Sequence, residues 1–407
     1  MISEKIEFPG SQGLLAGRLD QPSGKARAHA LFAHCFTCTK DILSARRIAE
    51  TLVEAGIAVL RFDFSGLGHS EGDFANSNFT SNVADLVHAA DFMRDQGRPI
   101  DLLIGHSLGG TAVLEAAGQV AEAKAVATIG APFDPGHVAH HFEGHIHEIE
   151  QDGEAEVELS GRRFRVKKQF LDDIRSQALA DAVGHLRKAL LVLHAPLDET
   201  VSVGNANEIF TVAKHPKSFI SLDNADHLLR RRADAVYAGH AIATWASRYL
   251  DLLPAEPPRT RLQTQPEDTL VVEWRDGKFA QHINAGGHVL RADEPTAIGG
   301  DNSGPSPYDL LLAGLGACTA MTLRMYAEHK KIPLKQAAIR LSHSKQHAQD
   351  CADCVDKTAK LDVIEREIEL QGDLDADTRA RLLEIADKCP VHRTLTGHIR
   401  IDSKLSD

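Results

Sequence analysis

The sequence predicts an α/β fold, a mostly parallel sheet with helices on both faces and a small lid, followed by a second domain of the α+β class. Three observations carry that reading. Up to about residue 250, short apolar runs alternate with alanine-rich helical stretches; a proline-rich segment then interrupts the pattern; beyond it, strand-like runs are grouped ahead of helices.

In chain order, residues 30–33, 57–62, 102–104 and 190–193 are the apolar runs expected at the centre of the sheet. Between residues 133 and 185 a more polar segment intervenes, with a hairpin at 157–166 turning at Ser160-Gly161, and it is expected to lie over the carboxyl edge of the sheet as a lid. The first domain is placed at 1–252. Pro254, Pro257, Pro258 and Pro266 mark a linker at 253–267. The second domain, 268–407, opens with alternating runs at 269–274 and 278–283, turns at Gly286-Gly287, forms a helix around Cys318 and continues with strands near 337–343 and 361–370. Apolar residues at 310, 311, 314 and 315 are expected to bury that helix and carry Cys318 inward.

A chain of 407 residues with 43% hydrophobic content can build two cores without staples. Its 45 Lys and Arg against 57 Asp and Glu leave a net charge of −12, which repels nucleic acid and anionic membrane surfaces. The start, Met1-Ile2-Ser3-Glu4-Lys5-Ile6, lacks a basic flank before an apolar stretch, and runs such as residues 189–193 fall far short of a membrane span. A cytoplasmic protein without a membrane association is expected. Six cysteines are too few for a secreted disulfide scaffold, so they are read as buried, metal-binding or redox-active thiols.

The first chemical signal is Gly105-His106-Ser107-Leu108-Gly109-Gly110, between the strand at 102–104 and a helical stretch from Thr111. Glycines at 105 and 109 permit a sharp strand-to-helix turn with Ser107 at its apex and the positive helix end behind it. A serine hydroxyl needs a histidine to take its proton and a carboxylate to steady the resulting imidazolium. Asp198 follows the strand at 190–193, and His227 follows a strand-like run at 218–222. Asp226 is the rival acid, but it adjoins the histidine and points elsewhere; His194 reads as a strand-end residue. Backbone amides of Phe36 and Leu108 are the candidate oxyanion donors. His34-Cys35-Phe36, the run from Arg61 to Ser70, the serine turn and the Asp198 and His227 segments resemble, in order, the α/β-hydrolase family over roughly the first 250 residues. That resemblance implies hydrolysis of a small-molecule ester or thioester. Cys35 stands where the family's loop more often has glycine, which narrows the site.

The second signal lies beyond the linker. Gly304-Pro305-Ser306-Pro307-Tyr308-Asp309 leads into a helix carrying Cys318, and Asp387-Lys388-Cys389-Pro390-Val391-His392 follows downstream. These residues resemble the OsmC/Ohr family of organic hydroperoxide reductases, and the nearest likeness is to its hydrolase-fused branch. The resemblance implies that Cys318 attacks an organic hydroperoxide, that Cys389 resolves the sulfenic acid as a disulfide, and that a dithiol such as a lipoyl group restores both thiols. It also implies an intertwined homodimer and an arginine, oriented by a carboxylate, beside the thiolate. Asp309 matches the carboxylate; Arg291 is preferred as the arginine over Arg275, Arg324 and Arg393.

His343, His347, Cys351 and Cys354 have spacing that would suit zinc, yet a solvated loop is the preferred reading, and neither metal nor organic cofactor is expected. Cys35-Phe36-Thr37-Cys38 is read as local packing, since no thioredoxin-like unit surrounds it. His137, His140, His141, His145 and His147 are read as a histidine-rich surface helix, and Arg230-Arg231-Arg232 as a solvated helix start. The leading expectation is therefore a bifunctional serine hydrolase and thiol peroxidase. Two alternatives stand beside it: a hydrolase with a non-catalytic dimerisation domain, and a binding or sensing protein for acylated or oxidised ligands.

Overall fold

The computed structural model describes residues 1–159, 162–176, 178–250, 252, 260, 262, 265, 267–274, 278–347 and 360–405. It divides into two units, Met1–Ala255 and Glu256–Asp407.

Unit 1 contains β1 (Ile2–Gly10), β2 (Gly13–Gln21), β3 (Ala28–Ala33), α1 (Leu43–Glu54), β4 (Ile57–Phe62), α2 (Phe79–Asp95), β5 (Leu102–His106), α3 (Leu108–Ala116) and β6 (Ala125–Ile129). The lid follows: a 3-10 segment (Pro135–His145), α4 (Ile146–Asp152), β7 (Glu154–Leu159), β8 (Arg162–Lys167), α5 (Lys168–Ser176) and α6 (Leu179–Gly184). The unit closes with β9 (Ala189–His194), α7 (Val203–Val212), β10 (Lys217–Ser221) and α8 (Arg232–Ala246). Eight strands form one sheet in the order β1-β2-β4-β3-β5-β6-β9-β10. β1–β2 and β2–β4 pair antiparallel, and every later pair is parallel.

Both faces of the central strands of this sheet are buried. β4 sends Ala58, Leu60 and Phe62 into a core shared with α2 and α3, and Ile57 and Val59 into a second core under α1 and α8, because successive side chains on a strand point to opposite faces. A strand covered on both sides has no polar face to show, which is why these segments read as unbroken apolar runs. The lid joins the first core through Val138, Phe142, Val157 and Phe170. In its 3-10 segment His137 donates from Nε2 to Thr200 O at 2.7 Å and stacks edge-on against His140.

Unit 2 contains β11 (Thr269–Glu273), β12 (Gln281–Ala285), β13 (His288–Ala292), α9 (Pro307–Lys330), β14 (Leu334–His347), β15 (Lys360–Gly372), α10 (Ala376–Ala386) and α11 (Pro390–Thr396). β11–β13 form one antiparallel sheet and β14–β15 another. Pro307 at the first helical position and a reciprocal Ser306–Asp309 capping box start α9. The helix buries Leu315, Thr319, Leu323 and Ala327, spaced every four residues; Leu323 and Ala327 share a core with Leu382, Ile385 and Ala386 of α10. This corrects the expected stripe: Leu311 is exposed and Cys318 is half-buried rather than carried inward. The helix is apolar on more than one face, and the face that α10 covers is the one through 323 and 327. The same all-round apolarity corrects the reading that no run approaches a membrane span. By length and composition α9, 24 residues long and containing an 18-residue window of mean hydropathy 1.4, is long and apolar enough to cross one, a test that a core helix also passes.

Candidate active site

Ser107 sits at the end of the central strand β5 in a backbone conformation of φ 55° and ψ −128°, a strained geometry for a residue with a side chain. The strain is held by close packing on the glycines around it: a Cβ at Gly109 would lie 2.6 Å from Ala33 O at the end of β3. Asp198 arrives on the turn after β9 and His227 on the loop after β10. His227 Nδ1 lies 2.7 Å from Asp198 Oδ2, and its Nε2 lies 2.9 Å from Ser107 Oγ. A carboxylate only accepts, so Nδ1 carries the proton and Nε2 is free to accept from the serine. Asp198 is oriented in turn by Oδ1, which accepts the amides of Thr200 and Val201 at 2.8 and 2.9 Å. Burial pushes its carboxyl up, but the bond from His227 and those two amides outweigh it and hold the group below its ordinary value. Asp226 turns away, accepting the Arg230 amide at 2.8 Å. His194 donates to Val201 O at 2.8 Å, as a strand-end residue would.

Two supporting contacts were not legible as such in the sequence. His106 donates from Nε2 to His227 O at 2.6 Å and so fixes the backbone that carries the base. Burial pushes its imidazole down to about 4, and burial also lowers His34 and His194. The unfolded chain therefore binds protons between pH 6.5 and about 4 that the folded chain refuses. Stability from His106 is fully present above pH 6.5 and is lost as pH falls toward 4, by on the order of 3 kcal/mol. Urea unfolding read from Trp245, in a Trp274→Phe protein so that the other tryptophan is silent, should show the midpoint falling from pH 7 to 4.5; a flat midpoint would contradict this assignment.

The second contact anchors the loop after β3. Asp63, fully buried, accepts Lys40 Nζ at 2.6 Å, the Lys40 amide at 2.7 Å and the His69 amide at 3.0 Å. The run from Arg61 to Ser70 and the segment 35–40 are thus one tied assembly. Phe36 projects from it onto Phe74 and onto Phe170 of the lid, while the lid's Arg162 donates to Thr37 O. Leu108 is the first residue of α3, where an amide has no intrahelical acceptor. Cys35 and Cys38 are joined as a disulfide, which corrects their reading as packing residues: the turn in which Cys38 N donates to Cys35 O at 3.1 Å brings the two side chains together. A cavity of about 660 Å³ opens over Ser107 and His227, walled by both cysteines, Phe36, Leu159 of the lid and Arg230. Its volume suits a small-molecule acyl group.

In unit 2, Cys318 and Cys389 are both free, and Cys389 is fully buried. Cys389 caps α11, accepting the His392 amide at 3.3 Å, and touches Thr319 Oγ1 at 3.7 Å. Thr319 donates to Leu315 O at 2.8 Å, so its oxygen accepts from Arg366 at 3.2 Å. Arg366 is also paired with Asp387. The cation and carboxylate nearest Cys389, joined to it through Thr319, are thus Arg366 and Asp387, which the sequence did not single out for that role. Arg291 lies instead over the Trp274 ring, 4.5 Å from its centroid, and Asp309 is taken up by Ser306, whose hydroxyl and amide hold its carboxyl low. Arg324 is spent on Leu334 O and Lys335 O. A cavity of about 450 Å³ lies between α9 and β14, lined by Gly316, Ala317, Ala320, Ala337, Ile339 and Leu341. His343 bonds Asp362 at 2.8 Å and stacks on Tyr308; Cys351, Cys354 and the side chain of His347 lie outside the described residues. Among the described residues no three His, Cys, Asp or Glu side chains converge as metal ligands.

A serine at a strained strand-to-helix turn, bonded to a histidine and an aspartate delivered by later strands of a mostly parallel sheet, defines a protein of the α/β-hydrolase class. Comparison with known proteins agrees. The chain belongs to the alpha/beta hydrolase family, whose model matches residues 30–304, and it carries a match to OsmC-like protein over residues 300–404. The esterase domain of a Rhodothermus marinus protein is 45% identical, with a TM-score of 0.51, covering 61% of this chain and 100% of that domain. Mouse alpha/beta hydrolase domain-containing protein 10 shares the fold at 22% identity and a TM-score of 0.50, covering 62% of this chain and 100% of its own. The mitochondrial palmitoyl-protein thioesterase ABHD10 of Mus musculus is 25% identical over 207 residues, which is 47% of this chain and 66% of that protein.

Proposed function

We propose that the protein is a serine hydrolase of carboxylic esters or thioesters joined to a cysteine-based organic hydroperoxide reductase. The observation that carries the first half is His227 held between Ser107 at 2.9 Å and Asp198 at 2.7 Å. Ser107 Oγ attacks the acyl carbonyl as His227 Nε2 takes its proton, and the amides of Phe36 and Leu108 stabilise the oxyanion. His227 then returns the proton to the departing alcohol or thiol, and water repeats the sequence on the acyl-enzyme. Two of the relatives, an esterase domain and a thioesterase, support this substrate class. A fluorophosphonate probe should label Ser107 in the wild type, and peptide mapping that finds the label elsewhere, or none, sinks the reading.

In the second half, the Cys318 thiolate attacks the peroxide oxygen, releasing an alcohol and leaving a sulfenic acid; Cys389 condenses with it to a disulfide with loss of water. A dithiol reductant, such as a lipoyl group, restores both thiols by exchange. Support comes from the OsmC-like match, which spans both cysteines. A homodimer belongs to the same proposal, since Met321 and Met325 leave an apolar face of α9 exposed. The expected result is cumene hydroperoxide turnover with dihydrolipoamide, abolished by Cys318→Ser and accompanied by a mapped Cys318–Cys389 disulfide. The reading as a non-catalytic dimerisation domain is favoured by one observation, the burial of Cys389 beneath Thr319, and it stands if neither turnover nor disulfide is found.

A further inference from the structure

We propose that the Cys35–Cys38 disulfide is a redox-active site inside the hydrolase cleft, reduced by a dithiol, and that its state sets the position of the oxyanion loop. The inference rests on the reading of Ser107 as the nucleophile. Four observations carry it. Both cysteines line the cavity that holds Ser107 and His227, so a small dithiol entering by the substrate's route meets them. Cys35 is buried but Cys38 is partly exposed, which makes Cys38 the side from which the bond is approached. The bond encloses only Phe36 and Thr37, and Phe36 supplies the proposed oxyanion amide. Thr37 is held at φ 61°, a left-handed conformation that a β-branched residue does not adopt unaided.

A crosslink enclosing so few residues removes little entropy from the unfolded chain, so global stability is a poor reason for it. Its effect is local. At the far end the loop is fixed by the Lys40–Asp63 pair, and within the turn Arg162 holds Thr37 O and the Cys38 amide holds Cys35 O; the disulfide adds the covalent link that closes the turn around Phe36. The step balances as an exchange. A dithiol thiolate attacks Cys38 Sγ and the Cys35 sulfur leaves as a thiolate; the reductant's second thiol then attacks its own sulfur in the mixed disulfide and expels Cys38. Two electrons and two protons pass to the protein, which gains two thiols, and the reductant departs as a cyclic disulfide. Freed of the bond, Thr37 relaxes out of the left-handed region and the Phe36 amide leaves the oxyanion position.

The test uses the full chain, with dihydrolipoamide as reductant and lipoamide as oxidant. Alkylation and peptide mapping report the state of Cys35 and Cys38, amide hydrogen exchange reports residues 34–40, and p-nitrophenyl butyrate reports turnover. Reduction is expected to speed exchange at 34–40 and lower kcat/KM by about tenfold or more, reversibly, with the C35S/C38S protein fixed at the reduced level and indifferent to either reagent. The proposal is overturned if millimolar dithiol leaves the bond intact, if its mapped reduction leaves kcat/KM unchanged within twofold, or if the double variant responds as the wild type does. A protein that hydrolyses nothing in either state, yet speeds its exchange on reduction, defeats the hydrolase reading and leaves the redox site standing.

Discussion

Ser107→Ala is expected to lower kcat for ester hydrolysis by roughly 10⁴-fold or more while leaving hydroperoxide turnover unchanged. The size follows from geometry: His227 and Asp198 act only through the serine oxygen, 2.9 Å from His227 Nε2, so removing that oxygen removes the work of all three. Asp198→Asn should cost about 10⁴-fold, because an amide in its place can present an N–H to Nδ1 and turn the imidazole to the wrong tautomer. Circular dichroism and substrate KM separate these losses from unfolding. A Ser107→Ala protein that retains a tenth of wild-type kcat would remove Ser107 from the mechanism, and a simultaneous loss of both activities would indicate damage to the fold.

The second large effect is expected at Asp63, where substitution by alanine should lower the stability of unit 1 by about 3–5 kcal/mol. Asp63 is 0% exposed and takes three hydrogen bonds, two from Lys40 and one from the His69 amide. Deleting it leaves the Lys40 ammonium, itself buried, with only the 3.7 Å contact to the part-exposed Asp41 as a carboxylate partner. Burial pushes the Asp63 carboxyl up, but the bonds from Lys40 and His69 outweigh it and hold the group below its ordinary value of 3.8. A depressed acid stabilises the fold above its unfolded pKa, and the contribution is lost as pH falls through the folded one. Wild type and variant should therefore differ fully at pH 7 and begin to converge only below about pH 3.8. Urea unfolding read from Trp245 in the Trp274→Phe background measures the difference, and Asp63→Asn, which keeps the shape, provides a folded comparison. A change under about 1 kcal/mol would mean that water reaches the pair.

Much of unit 1 was legible because its signals are local. The strands at 57–62, 102–104 and 190–193 declare themselves by unbroken apolarity, and Ser107, Asp198 and His227 follow strand ends in the order the class requires. The contacts that steady them were hidden. Nothing near His106 says that its imidazole will meet the His227 carbonyl 121 positions away, and nothing near Lys40 names Asp63. The Cys35-x-x-Cys38 spacing, without a thioredoxin-like unit around it, favours local packing over redox work; the turn through Thr37 decided for the disulfide.

Unit 2 shows the converse. Its cysteines were visible, but their charged neighbours were not. Arg291 faces Trp274 because of how β11–β13 assemble, and the pair near Cys389 joins Arg366 of β15 to Asp387 at the end of α10, 21 positions on. On α9 an apolar surface extends around the helix, so periodicity left open which side this chain would cover. The sequence by itself determined the order of strands and helices, the break between the two units and the motifs that carry Ser107 and the two cysteines, because each is written in residues within a few positions of one another. Tertiary structure decided which buried charges meet, which face of α9 is closed and that Cys35 and Cys38 are bonded. Those outcomes depend on register and on packing between distant segments, and a polar group taken out of water must find its partner wherever the fold has placed one.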